Sequence, residues 1–552
     1  MLSNQCADMS VLLYAPPKNA CILGVSSIVA HAIKEDVMQI SLQETPAIHL
    51  HPADNVAIAL VPLSPKRTIT IANLHVTLNT AIHAGHKVAI AQIPAGQAVR
   101  RYGQIIGFAS QTITPGDHVH THNLSVGNMQ LDYAVGSEVV DIPFVSASER
   151  RTFAGYQRAD GSAGTRNTVA VIGTVNCASH TLKRIVDRAK HELLPNYPNV
   201  TDIVALSHKH GCATRDGSPE LGMLQRTLAG FAHNPNVAGY LFVGLGCETN
   251  QFESLFLAHR ARFGAHQLPP YMAIQDEGGV AATIEAGLAA LVPVLQYSDQ
   301  FRRTSTPISK LNLALQCGGS DGFSGISANP ALGVAVDMLV AHGGTAVLSE
   351  TPEIYGAEHM LTRRAVSQAV ADKLIDRIHW WEEYTRREGF EIDNNPSHGN
   401  KAGGLTTIFE KSLGAVAKGG SMPLTAVYEY AEPITQSGFV FMDTPGYDPV
   451  SATGQVAGGS NIIIFTTGRG SCFGFKPVPS IKISTNSTTY ERMRSDMDIN
   501  AGTIITGHER IHQVGERIFD YMIDVASGKA SLSEAQDIGE EEFNPWMLGA
   551  TM

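Results

Sequence analysis

Thiols, imidazoles and carboxylates recur in this chain at one kind of place, the few residues that follow an apolar run. Cys177 comes after "TVAVIG", Cys212 after "DIVALSHKHG", Cys247 after "GYLFVGLG", and Cys317 closes "LNLALQ". Thiolates are strong ligands for iron and zinc, so Cys177, Cys212, Cys247 and Cys317 are candidate metal ligands. A free cysteine is as often a small buried hydrophobe, and it is the recurrence that favours the functional reading. "GDHVHTHN" (116–123) alternates His118, His120 and His122, which puts all three on one side of an extended strand, suited to a metal or to an exposed face. "QCGGSDGFSG" sets Ser320 and Asp321 among glycines whose backbone N–H groups can approach an anion closely. Glu350 and Glu353 follow the run "TAVL", and Arg469 in "TTGRGS" can clamp a carboxylate with two parallel hydrogen bonds.

The elements that must position these residues change character along the chain. From 46 to 125, short runs such as "NVAIAL", "RTITI", "HVTL" and "KVAIAQI" alternate with turn signals, which predicts a small all-β module. Residues 126–150 have no clear period and read as a linker, preceded by an N-terminal extension over 1–45. From 151 onward strand, Gly-rich loop and helix repeat, predicting two α/β domains with largely parallel sheets, 151–304 and 305–552. In such sheets ligands bind beyond the carboxyl ends of the strands, where the chemistry-bearing loops share one edge.

Composition removes whole classes of function. The 552 residues are 43% apolar and 16% charged with a net charge of −11, and the lysines and arginines form no stripe, which argues against nucleic acid. The early apolar stretch "ACILGVSSIVAHA" is too short to span a bilayer and lacks the flanks of a signal peptide. Seven widely spaced cysteines without a CxxC pair argue against a disulfide framework and for a reducing cytoplasm.

Longer stretches carry a resemblance. "HPADNVAIAL" (51–60), "AGHKVAIAQIPAG" (84–96), "GYQRADGSAGTRN" (155–167), "GLGCETNQ" (244–251), "QCGGSDGFSGISANP" (316–330), "LSETPEIYGAEH" (348–359), "GNKAGG" (399–404) and "FTTGRGS" (465–471) occur in order. On these the chain resembles the altronate and galactarate dehydratases. The resemblance implies an α/β protein with an N-terminal all-β SAF (β-clip) domain, a flavodoxin-like second layer and a larger family-specific third domain. It also implies dehydration of a hexonate or hexarate to a 2-keto-3-deoxy acid in the cytoplasm, with Fe2+ or Mn2+ and an assembly of like subunits, a dimer. An iron–sulfur cluster is the alternative for the cysteines. "DHVHTHN" looks more like the altronate branch, whereas "PSHGNK" carries His398 where the family segment usually has proline.

Abstraction of the proton beside a carboxylate needs a base and a centre that holds enediolate charge, and loss of the 3-hydroxyl needs an acid. His51, His86 and Lys87, with His120 and His122 as alternates, are the candidate acids and bases. Asn55, Ser320, Asp321, Glu350, Asn400, Lys401 and Arg469 are the candidate substrate contacts. The small module is expected to close over the crevice as a lid. A sulfolactate sulfo-lyase and a non-catalytic sugar-acid sensor are the readings from other classes.

Overall fold

The apolar runs "NVAIAL" and "KVAIAQI" become strands buried along their length, Val56–Ala59 and Lys87–Ala89. They pair antiparallel at the centre of a four-stranded sheet edged by Ala47–Ile48 and His118–Val119. A hairpin of Thr68–Ile71 with Leu74–Thr77, and a three-stranded sheet of Ala98–Arg101, Gln104–Ala109 and Leu124–Ser125, complete the β module. The computed structural model describes residues 46–548 except 72, 128, 142, 213 and 264–268. The extension 1–45 therefore lies outside the described residues.

Between 127 and 151 the described residues form no strand or helix. Backbone bonds from Gly136 to Thr362, Glu138 to Arg363 and Val145 to Ala341 lay this segment along the third domain. An antiparallel pair, Thr152–Gln157 with Arg303–Pro307, then joins the two ends of the second domain.

The second domain holds four parallel strands in the order Asp202–Leu206, Thr168–Gly173, Val237–Gly244, Tyr271–Ala273, a 2-1-3-4 arrangement of the flavodoxin kind. Helices Ser179–Glu192 and Val280–Ser298 cover one face through Leu182, Ile185, Leu288, Leu291 and Leu295. Val280–Ser298 is long and apolar enough to cross a bilayer, but these leucines pack it onto the sheet. Helix Pro219–Ala232 covers the other face and packs with helix Asp448–Gly458 of the third domain in one core.

The third domain is a seven-stranded parallel sheet, in the order Leu424–Tyr428, Gly438–Met442, Thr345–Leu348, Asn312–Cys317, Ile462–Thr467, Ser480–Ser484, Ile499–Asn500. Its inner strands are apolar on both faces, as a sheet covered by helices on each side requires. Helices Ala328–Ala341 and Ile511–Ala526 cover one face, and Asp448–Gly458 packs on the other. The first strand of the domain lies at the middle of the sheet, with later strands added on either side of it. That is the point where such sheets open a crevice.

The lid expectation is corrected here. Val56, Ile58, Val99 and Ile106 of the β module belong to the same core as Leu313, Leu315, Leu348 and Leu413 of the third domain. At this junction Lys87 donates to both carboxylate oxygens of Glu410, each at 2.9 Å, and to the Gly404 carbonyl at 2.7 Å. Arg101 donates to Glu410 Oε1 at 2.7 Å and to the Gly322 carbonyl at 2.6 Å. Burial works against the Glu410 charge, yet Lys87 and Arg101 outweigh it and hold the carboxyl down to about 2. A module fixed by a shared core and a buried ion triad is part of the wall.

Candidate functional site

Strand Asn312–Cys317 ends on a buried thiol, after which the chain turns through Gly318 and Gly319. Gly318 is required by its neighbour, because a Cβ there would stand 2.4 Å from Asp448 Oδ2. The adjacent strand Thr345–Leu348 leads to Glu350, whose backbone is left-handed at φ 69° and ψ 67°. A glutamate in that region is held by its surroundings, and such strain collects at functional sites. Here the Glu350 N–H donates to Thr444 Oγ1 at 2.9 Å. Glu353 closes the 3-10 turn that follows.

These loops bring the Cys317 thiol and the carboxylates of Glu350 and Glu353 within 4.8 Å of one another, all buried. Two lysines seven residues apart face them. Lys411, on helix Ile408–Val416, donates to Glu353 Oε1 at 2.6 Å and to Asn395 Oδ1 at 2.7 Å. Lys418, on the 3-10 turn Ala417–Gly419, donates to Cys317 Sγ at 2.8 Å and to Glu350 Oε2 at 3.3 Å. The thiol donates in turn to Glu353 Oε2 at 3.6 Å. Glu350 Oε1 is buried without a hydrogen-bond partner.

Burial and mutual repulsion sort the protons. Burial pushes the Glu350 carboxyl well up, with Glu353 adding to the effect. Burial and then Glu353 push Asp448 up to about 7. Burial opposes ionisation of Glu353 too, but Lys411 and Lys418 overcome it and hold that carboxyl below its ordinary value. Burial raises the Cys317 thiol to about 12 against the pull of Lys418. For Lys418 burial is outweighed by Cys317 and Glu350, so the ammonium keeps its proton. The site therefore offers a fixed cation pair, one fixed anion and a carboxyl poised near neutrality.

The other sequence candidates divide by place. Asp321 is saturated by Thr485 Oγ1, Asn486 Nδ2, Ser324 Oγ and the Phe323 N–H, and braces the 318–324 loop against residues 485–486. Gly468 packs so closely that a Cβ would meet Asp321 Cγ at 2.1 Å. Asn400 Nδ2 binds the Ser320 carbonyl at 2.9 Å, and Asn55 bonds Ala98 and Arg100 inside the β module. Arg469 is exposed on the loop after Ile462–Thr467, its N–H held by the Gly319 carbonyl at 2.8 Å. The expected acid–base role of Lys87 is corrected, since its ammonium is enclosed by Glu410 and Gly404 and fixes the module instead.

The histidines converge differently from the alternating strand expected. The strand stops at Val119, because Asn123 Oδ1 accepts the His120 N–H and turns the chain. The rings of His86, His118 and His120 nevertheless cluster with centroids 5.1 to 5.2 Å apart, His86 stacking on His120 and His118 tilted against both, and His122 joins this stack at 5.5 Å from His118. His86 Nδ1 and His118 Nε2 share a hydrogen bond of 3.0 Å. His120 Nε2 lies 2.9 Å from the Lys401 carbonyl and His86 Nε2 3.3 Å from that of Ala402. Burial lowers His86 to about 4 and His118 to about 3, so both are neutral. His51 packs against Gly103, outside this stack. Residues 399–404, whose Gly403 carbonyl binds the Gly322 N–H, separate the stack from the acid–lysine crevice.

The single four-cysteine ligand set is also corrected. Among the described residues Cys317 finds its donor neighbours in Glu350 and Glu353, while Cys177, Cys212 and Cys247 are exposed at the edge of the second-domain sheet. Sequence reasoning passes over Lys411, Lys418, Asn395 and Asp448. The one available signal is the seven-residue spacing in "KSLGAVAK", which returns both lysines to one helix face.

Fold and site together give an α/β protein with a buried cluster of thiol, carboxylates and lysines at the carboxyl ends of a parallel sheet. Residues 45–127 match the altronate/galactarate dehydratase SAF domain, 155–299 the second domain of D-galactarate dehydratase/altronate hydrolase, and 308–551 the C-terminal domain of D-galactarate/altronate dehydratase. The chain is 34% identical to altronate dehydratase of Bacillus subtilis, over 89% of this chain and 97% of that one. It is 37% identical to galactarate dehydratase (L-threo-forming) of Escherichia coli, over 88% and 94% respectively. A (2R)-sulfolactate sulfo-lyase subunit beta from Chromohalobacter salexigens is 29% identical over 71% of this chain and 96% of its own. The chain belongs to the altronate/galactarate dehydratase family, and is a sugar-acid hydro-lyase by that membership.

Proposed function

We propose that this chain removes water from an altronate-like hexonate to give a 2-keto-3-deoxy acid, at the crevice around Cys317. The observation that carries the reading is the buried convergence of Cys317, Glu350 and Glu353 with Lys411 and Lys418 bonded to them, and burial raises the carboxyl of neighbouring Asp448 to about 7. Asp448 takes the C2 proton as base. Lys418 gives a proton to the departing 3-hydroxyl, and the enol left behind tautomerises to the 2-keto acid. Lys411 offsets the negative charge that develops on the carboxylate side. The exposed guanidinium of Arg469 is the candidate clamp for the substrate carboxylate.

Cys317, Glu350 and Glu353 fit a divalent cation, because a thiol and two carboxylates converge and Glu350 Oε1 lacks any other partner. Fe2+ or Mn2+ is the ion this donor set supports. When bound it supplies Lewis-acid polarisation of the substrate's carboxylate and 2-hydroxyl. His86, His120 and His122 remain the second candidates for the acid, tested by their glutamine variants. The free state of the five described cysteines supports a reducing cytoplasm. The exposed Val139, Val140 and Phe144 support a homodimer, which light scattering measures.

The test is turnover of altronate, galactarate and sulfolactate under argon, with a chelator or with added Fe2+ or Mn2+, read by 2-keto acid and sulfite. Fastest keto-acid formation from altronate, abolished by chelator and restored by metal, is expected. Faster turnover of galactarate favours the hexarate reading, to which the 37% relative gives a specific footing. Sulfite release overturns both.

A further inference from the structure

Three thiols of the second domain take no part in the crevice described above. Cys177 lies on the 3-10 turn Asn176–Ala178, four residues beyond strand Thr168–Gly173. Cys212 follows strand Asp202–Leu206 by six residues, and Cys247 follows Val237–Gly244 by three. These strands are parallel neighbours, so all three cysteines come to one edge of one sheet. The loops are tied beside the thiols themselves. The Asn176 N–H donates to the His210 carbonyl at 2.9 Å, the Asn250 N–H to the Gly211 carbonyl at 3.0 Å, and Asn250 Nδ2 to the Thr174 carbonyl at 2.9 Å. Gly211 packs so tightly that a Cβ would stand 2.3 Å from the Thr174 carbonyl oxygen.

All three thiols are free and exposed. Cysteine ordinarily sits among the most buried residue types, so three exposed thiols on three interlocked loops depart from packing expectations. Among the described residues they do not form a group with all ligand atoms mutually within 4.8 Å, as the Cys317 sulfur and the Glu350 and Glu353 carboxylate oxygens do. A single tetrahedral ion draws its ligands close, while a cluster holds its thiolates further apart because iron and sulfide fill the centre.

We propose that Cys177, Cys212 and Cys247 ligate a [4Fe–4S] cluster at the carboxyl edge of the second-domain sheet, leaving one iron to a non-cysteine ligand. Assembly from equal ferrous and ferric iron with matching sulfide releases the three thiol protons to solvent and needs no outside oxidant. The test reads iron and labile sulfide, so it does not depend on turnover.

The full chain is reconstituted under argon with equal ferrous and ferric iron and sulfide, desalted, and assayed for iron, acid-labile sulfide and the paramagnetic signal after reduction. About four iron and four sulfide per chain are expected. Cys177→Ser, Cys212→Ser and Cys247→Ser should each lower labile sulfide about fourfold or more, at unchanged melting temperature, while Cys472→Ser, another exposed free thiol, keeps it. Iron without labile sulfide overturns the cluster, as does a triple serine variant that retains it.

Discussion

At the scale of single residues, the crevice is decided by which carboxyl keeps its proton. Asp448 must be ionised to act as base, so kcat/KM should rise with pH and level off above about 7. Asp448→Asn should lower kcat by roughly 10²–10⁴-fold and remove that limb from the profile. A variant with wild-type rate excludes Asp448 as the base. Cys317→Ser should leave stability within about 1 kcal/mol, since an alcohol can still accept from Lys418 and donate to Glu353. Bound Fe2+ or Mn2+, measured by elemental analysis on the same sample, should fall because an alcohol is the poorer ligand. Cys317, Glu350 and Glu353 were legible as residues after apolar runs. Lys411 and Lys418 were not, because what qualifies them is the carboxylates they meet across the domain, and a lone lysine on a helix reads as solvated surface. Asp321 misleads for the complementary reason: its place in a Gly-rich loop suggests a ligand contact, but four donors already hold it.

At the scale of elements, helix Ile408–Val416 serves both junction and crevice, carrying Glu410 toward the β module and Lys411 toward Glu353. Glu410→Gln removes one charge and leaves Lys87 and Arg101 buried without it, which should cost about 3–5 kcal/mol. Replacing Lys87, Arg101 and Glu410 together by apolar residues of similar volume should recover most of that loss, and chemical denaturation of both variants checks the pair. The Glu410 carboxyl is depressed in the folded state to about 2 from an ordinary 4.5. Its contribution is therefore complete above about 4.5 and disappears as pH falls toward 2, in proportion to the protons the unfolded chain binds first. The parallel strands are legible to within a residue or two, because buried parallel strands are continuous apolar runs; "NIIIF" places a strand end before Thr466, and Ile462–Thr467 carries on through both threonines. The histidine strand failed at Asn123, whose side chain bends the backbone in a way that alternation alone cannot reveal.

At the scale of the whole molecule, the three sequence segments are legible as separate folding patterns, yet the cores cross between them. Helix Pro219–Ala232 shares its core with the third domain, and the β module shares another. Sequence periodicity reports which face of an element is apolar and is silent on which neighbour covers it. A chain beginning at residue 151 should therefore do more than lose turnover. It should bind a hydrophobic dye and melt lower than the full chain, because the surface under Val56, Val99 and Ile106 is laid bare. Normal melting of that fragment would return the module to the status of an appendage. The segment over 127–151 has a different standing, with no described strand or helix and with Val139, Val140 and Phe144 exposed. Since the junction is held by its own core and ions, that segment acts as a tether that keeps two halves at high effective concentration. The polypeptide can then be treated as two parts that happen to be joined, and residues 46–127 and 150–552, made as separate chains and refolded together, should find each other and work as one enzyme.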